Sequence, residues 1–457
     1  MSDSLRQYLE SHRQRILDEL FAFLRIPSVS TLPEHRTDVY KAAGFVAESL
    51  QAAGMDRVEV IETEGHPLVY GEWLRAPDKP TVLCYGHYDV QPPDPLEEWT
   101  SPPFEPVIRD GKIYARGASD DKGQMYMHIK AVEALRAIHG SLPVNVKFLI
   151  EGEEEIGGAS IRRYLHDHRE QLRADAALVS DTELFAPGIP TLCTGLRGLL
   201  YAEIEAEGAS HDLHSGTYGG AAPNALFGLV QLLAEAKSPD GVIQLPGVYD
   251  DVEVPSEEER ESWRQLPFDE EVFRQEIGAP ALVGEEGFHV LERLWARPTF
   301  EVHGIAGGFT GPGSKTVIPA RATAKVSLRL VPRQDPEKVQ QALEQFVAER
   351  TPKGIRTQVR VTAASPAVLI DRRHPAIQIA AQVLGELFGR PTVFTRAGGS
   401  VPIVGQITQE LGIPVVMMGF GLPDDCLHAP NEKFNVENLF LGIEAVARFL
   451  ERYGAGR

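Results

Sequence analysis

The chain has 457 residues, 43% of them hydrophobic and 24% charged, with a formal net charge of -20 at pH 7. That length exceeds what one compact core usually holds, so two domains are expected, and the ordinary composition excludes a disordered or fibrous chain. The acidic excess has no basic stripe to offset it and repels phosphate backbones and anionic membranes, which sets aside nucleic-acid and membrane partners.

From the start of the chain, Met1–Arg15 is polar and charged, unlike a signal peptide, and no apolar run is long enough to cross a bilayer, so a cytoplasmic protein is expected. Leu5, Leu9, Ile16, Leu20 and Leu24 recur at helical spacing and predict a helix over 4–24 that Pro27 stops. A second helix is predicted over 37–53, closed by Gly54. Short β-rich stretches follow at 58–61, 68–73 and 81–85. Helical pattern returns after Lys122, then a strand at 144–150, a helix after Ser160 and a strand at 176–180. Such alternation predicts a layered α/β domain.

The pattern changes after Gly195. Strand 199–207, helix 224–236, strands 299–303 and 322–331, helix 336–350 and strand 357–362 read as a β-α-β-β-α-β split βαβ unit. Residues 237–298 interrupt it with a Pro-, Glu- and Trp-rich stretch of no clear period. The α/β style resumes from Pro375 and ends in an amphipathic helix around 436–450. The expected fold is therefore an α/β outer domain, with a mixed central sheet flanked by helices, over 1–195 and 364–457. A ferredoxin-like α+β domain is inserted at 196–363. The three cysteines, Cys84, Cys193 and Cys426, are too few and too far apart for a disulfide framework or a thiolate zinc site, and they fit a reducing compartment. Any metal should then be held by oxygen and imidazole.

Five positions suggest such a site. His87 and Asp89 lie two apart at the end of an apolar strand and so share a face, where a carboxylate can orient an imidazole. The pair Asp120-Asp121 precedes a helix, Glu153-Glu154-Glu155 follows the strand 144–150, Asp181 follows 176–180, and His428 follows the apolar segment 414–418. Taken singly, each has a structural reading: a satisfied histidine, a helix cap, a solvated acidic run. Their shared place at strand ends is where α/β sheets bind ligands. His87, Asp120, Glu155, Asp181 and His428 together offer two imidazoles and three carboxylates. With one carboxylate shared, each of two ions receives a His and two acids, an N/O set suited to Zn²⁺, with Mn²⁺ or Co²⁺ possible. Glu154, left over beside Glu155, suits a base acting on activated water.

Gly86-His87-Tyr88-Asp89-Val90, Gly117-Ala118-Ser119-Asp120-Asp121-Lys122-Gly123, Glu154-Glu155, Ser180-Asp181 and Leu427-His428 resemble, in order, the zinc aminoacylase and carboxypeptidase family. The carnosinase-type dipeptidases are the nearest subgroup, through Asp212-Leu213-His214-Ser215-Gly216-Thr217-Tyr218-Gly219-Gly220 and Lys315-Thr316-Val317-Ile318-Pro319. The resemblance implies hydrolysis of dipeptides. Asp120 would bridge two metals, His87 and Asp181 would complete one site, and Glu155 and His428 the other. Asp89 would orient His87, and Glu154 would be general base and then acid. It also implies a cis peptide at Asp120–Asp121. The choice of Asp120 over Asp121 rests on the resemblance, since spacing does not decide it. The inserted domain would be a lid and dimerisation domain in a homodimer, with His214 acting in trans on the oxyanion. Thr316, Arg329 and Ser400 would contact substrate. Glu153 and Ile156 depart from some relatives.

Two rival readings use the same residues: a deacylase of N-acetyl or N-succinyl amino acids, and a metal-binding scaffold without turnover. The intact set of ligands plus Glu154 speaks against the scaffold. No Gly-x-Ser-x-Gly elbow occurs, and Gly308–Thr316 misses the spacing of a phosphate-binding loop, which sets aside serine-hydrolase and nucleotide chemistry.

Overall fold

The computed structural model describes residues 2–456 apart from position 400. In chain order the elements that matter here are α1 (Ser2–Leu24), α2 (Arg36–Ala52), β1 (Arg57–Ile61), β2 (Leu68–Trp73), β3 (Thr81–His87) and α3 (Lys122–His139). Then come β4 (Asn145–Glu151), α4 (Ala159–Asp167), β5 (Ala176–Val179) and β6 (Thr191–Leu196). The inserted region contributes β7 (Gly198–Glu207), α5 (Ala225–Glu235), β8 (Thr299–Gly307), β9 (Arg321–Leu330), α6 (Pro336–Arg350) and β10 (Arg356–Ser365). The chain closes with α7 (Pro375–Phe388), α8 (Pro402–Leu411), β11 (Val415–Met417) and α9 (Val436–Ala455).

Two compact units result: one of residues 1–194, 370–395 and 402–457, the other of 195–369 and 396–401. The second unit begins one residue before and ends six residues after the range read from the sequence pattern, and β10 runs to Ser365, two residues past that range. It also takes in 396–401, which no periodicity marks. Buried Arg396 there pairs with Glu259 at 2.7 Å, and Arg197 Nε donates to the Gly398 carbonyl at 2.9 Å.

In the first unit the sheet runs β1-β2-β4-β3-β5-β11-β6. The central pairs β4/β3, β3/β5 and β5/β11 are parallel and the flanking ones antiparallel. Parallel strands covered on both faces should be apolar throughout. β3, Thr-Val-Leu-Cys-Tyr-Gly-His, is buried from Val82 to His87, and β4 from Val146 to Glu151. Helix α3 lies across this layer with nearly every residue from Lys122 to Leu135 buried, and packs against α1 and α9. Its entry is tight: a Cβ on Gly123 would lie 2.0 Å from the Ala118 carbonyl oxygen.

The second unit holds an antiparallel sheet in the order β8-β9-β7-β10. Along β7, Leu200, Ala202, Ile204 and Ala206 point into the core while Tyr201, Glu203 and Glu205 do not, the alternation of a sheet with one covered face. Leu229 and Leu232 of α5 and Leu343 and Phe346 of α6 cover that face. The connectivity and strand order are those of the ferredoxin-like unit. The interrupting stretch is not structureless. It forms three short helices, Glu257–Arg264, Glu270–Glu276 and Val290–Ala296, begun by the caps Ser256, Asp269 and His289.

Candidate metal centre

Four strand ends of the first unit converge. His87 ends β3, the Glu154–Ile156 turn follows β4, Asp181 lies two residues past β5, and His428 is on the loop after β11. Asp120 stands at the entry to α3, and its peptide bond to Asp121 is cis. These residues form two clusters that share one member: His87, Asp120 and Asp181, and Asp120, Glu155 and His428. His87 Nε2 lies 3.0 Å from Asp120 Oδ1 and 3.9 Å from Asp181 Oδ2. His428 Nε2 lies 2.9 Å from Asp120 Oδ2 and 3.3 Å from Glu155 Oε2. The two oxygens of Asp120 therefore face different imidazoles, as a bridging carboxylate must.

The donor set fits a divalent cation. Zinc holds N and O ligands at about 2.0–2.1 Å, which sets neighbouring ligand atoms roughly 3.3 Å apart in a tetrahedral shell. The separations just given bracket that value. Charge points the same way. Burial, then the neighbouring carboxylates Asp181, Glu155 and Asp120, push Glu154 up to about 8. Burial and Asp120 do the same to Glu155, also to about 8, and to Asp181, to about 6. Burial would raise Asp120 too, but its hydrogen bonds with His428 and His87 outweigh that and hold it well below the usual range. The bond to Asp120 raises His428 to about 9; His87 is also raised, its bonds to Asp120 and Asp89 overcoming burial. Four carboxyls thus crowd two imidazoles, and added positive charge would relieve them.

Asp89 does two things. Its Oδ1 lies 3.4 Å from His87 Nδ1, although its own backbone carbonyl is nearer, at 3.1 Å. Its two carboxylate oxygens accept the backbone N–H groups of Glu154 and Glu155, each at 3.2 Å, and so fix the turn that carries both acids. Asp121 is distinct from its neighbour: its Oδ2 accepts the His87 backbone N–H at 3.2 Å. Sequence reading missed Gln91, whose Nε2 donates to Glu155 Oε2 at 2.7 Å. It also missed buried His128, whose Nε2 lies 2.7 Å from Ser180 Oγ beside Asp181, while that hydroxyl donates to the Met418 carbonyl. Neither sits in a pattern that separates it from an ordinary core or loop residue.

His214, Thr316 and Arg329 belong to the second unit. His214 is exposed, and its Nδ1 accepts the N–H groups of Gly216 and Thr217 at 3.0 and 3.2 Å, which puts the ring proton on Nε2. Thr316 is exposed, and its carbonyl accepts from Ser215 N at 3.0 Å. Arg329 is half-buried in β9, and its charge, after burial, lowers nearby Arg197 to about 10. Ser400 lies outside the described residues.

The sequence matches the model of Peptidase family M20/M25/M40 over residues 83–452. It is 31% identical to Beta-Ala-His dipeptidase of Homo sapiens over 464 residues, covering 97% of this chain and 91% of that one. It is 29% identical to Cys-Gly metallodipeptidase dug1 of Schizosaccharomyces pombe, covering 98% and 97%. The solved structure of an M20 family metallo-carboxypeptidase from Sulfolobus solfataricus superposes with a TM-score of 0.85 at 32% identity, over 96% of this chain and 99% of that one.

Proposed function

Since this chain belongs to Peptidase family M20/M25/M40, we propose that it is a dinuclear dipeptidase, cutting the amide bond of small dipeptides at the centre built around Asp120. The observation that carries the reading is the pair of Asp120 oxygens, one beside His87 and one beside His428. His87, Asp120 and Asp181 would hold one divalent cation, and Asp120, Glu155 and His428 the other, with Zn²⁺ best suited to the N/O donors. When bound, such a pair acidifies water and polarises the scissile carbonyl.

The chain's own residues supply the rest. Glu154 takes a proton from the attacking water and returns it to the leaving amine. Asp89 keeps that acid and Glu155 in register through their backbone N–H groups. His214, with its Nε2 proton available to donate, stabilises the oxyanion, acting on the site of a second copy in a homodimer. Arg329, with Thr316 and Ser400, reads the substrate carboxylate and amide, which favours short peptides with a free C-terminus. No helix among the described residues is long and apolar enough to cross a membrane.

The test is a substrate panel run before and after chelation. Unmodified dipeptides should be cleaved, C-terminally amidated ones poorly, and N-acetyl or N-succinyl amino acids slowly. Chelation should abolish turnover and added Zn²⁺ or Mn²⁺ restore it. Chelator-resistant cleavage, or preference for the acylated amino acids, would overturn the assignment.

A further inference from the structure

Glu432 lies four residues past His428, is wholly buried, and is used by no step above. Its Oε2 accepts Arg116 Nη1 and the Gly117 backbone N–H, both at 2.8 Å. Its Oε1 accepts the backbone N–H groups of Ser119 and Asp120, at 2.9 and 3.0 Å. All four donors come from one five-residue run that ends at Asp120. On the other side of His428, buried Asp425 accepts Ser119 Oγ at 2.9 Å and the Leu422 backbone N–H at 2.8 Å, and pairs with Lys433 at 2.8 Å. The loop that carries His428 therefore grips the loop that carries Asp120 at two points, one before and one after the imidazole.

An anion is the species this nest requires. Four N–H donors converge on two oxygens, and charge-assisted bonds of this kind are about twice as strong as neutral ones. A glutamine would keep one accepting oxygen and turn its NH₂ toward two further donors. The donors also bear on one narrow segment rather than on the core at large. We propose that Glu432 is a positioning residue for the metal centre: it locks the Asp120 loop to the His428 loop, with Asp425–Ser119 as a second link, so that both oxygens of Asp120 are presented in ligating register.

This inference rests on the dinuclear reading above, and its test keeps the two apart. Full-length protein is stripped of metal, and zinc uptake is titrated in competition with a chromophoric chelator, alongside dipeptide kinetics and melting of the metal-free chain. Wild type should take up two ions. Glu432→Gln should bind zinc about 10–100-fold more weakly, the range seen when outer partners of ligands are removed. Its kcat should fall at limiting zinc and recover in part at saturating zinc, with KM little changed. A merely structural role would lower the melting temperature of the metal-free chain and leave the zinc affinity of the folded protein alone. That outcome overturns the proposal. Should Glu432→Gln fail to fold, Ser119→Ala carries the test, with a several-fold loss of zinc affinity expected and unchanged affinity overturning it. If wild type itself takes up no zinc, the dinuclear reading fails first, and the proposal with it.

Discussion

Glu154 pairs a raised proton affinity with a backbone N–H tied to Asp89, which is what a base that must later act as an acid needs. Glu154→Gln keeps size and hydrogen bonding but cannot carry the proton. It should lower kcat by about 10²–10⁴-fold while both ions stay bound; near-normal turnover with full metal occupancy would remove Glu154 from that role. A second prediction concerns His128, which burial lowers to about 3. The unfolded chain takes a proton on this ring near pH 6.5 and the folded chain does not. The His128 contribution to stability is therefore fully present above that pH and is lost as pH falls from about 6.5 toward 3, by roughly 1.4 kcal/mol per pH unit. Urea unfolding of metal-free protein between pH 7 and 5 should show a steeper loss for wild type than for His128→Gln; parallel slopes would contradict it. At this scale the sequence was partly legible. Strand-end position singled out His87, Asp181 and His428, but spacing left Asp120 and Asp121 equivalent. What separates them is orientation, since Asp120 faces the two imidazoles and Asp121 turns back to the His87 backbone. Gln91 and His128 each make one long-range side-chain contact, and Glu432 accepts four bonds from the 116–120 run; none of these leaves a periodic trace.

Elements are where the hydrophobic pattern speaks most clearly. The apolar runs at 68–73 and 81–85 are β2 and the start of β3, since a strand buried on both faces has no other composition open to it. The β-α-β-β-α-β order of the inserted unit was readable because its strands are ten residues or nearly so and half-covered, which gives alternation room to show. The helices Glu257–Arg264, Glu270–Glu276 and Val290–Ala296 were not, as seven or eight residues make only about two turns and show little 3.6-residue period. Helix α3 gives the test at this scale. Its first turn lies so close to Ala118 that Gly123→Ala must displace backbone. The substitution should cost about 1–3 kcal/mol and lower the melting temperature by several degrees in calorimetry. An unchanged transition would mean that the α3 entry is looser than described.

At the scale of the whole molecule, the acidic charge and the carboxyl cluster bear on stability together. The -20 formal charge is spread over the chain, yet Asp120, Asp181, Glu154 and Glu155 share one site, where their repulsion opposes folding until cations enter. Metal binding to the folded state alone stabilises it by about 2.7 kcal/mol per site at one hundred times Kd. Chelation should accordingly lower the unfolding midpoint, and Asp120→Asn should lose most of that response because it serves both clusters; a midpoint indifferent to metal would contradict the electrostatic account. Two-unit architecture was legible from length and from the switch in pattern near Gly195. The excursion of 396–401 into the second unit was not, because it is set by the Arg396–Glu259 pair and not by any repeat.

Anomalous diffraction at the zinc edge, from crystals grown with Zn²⁺, reaches the central claim most directly. Two peaks about 3.5–4 Å apart are predicted, one among His87, Asp120 and Asp181 and the other among Asp120, Glu155 and His428. A single peak, or peaks that leave Asp120 outside both coordination shells, would contradict the account.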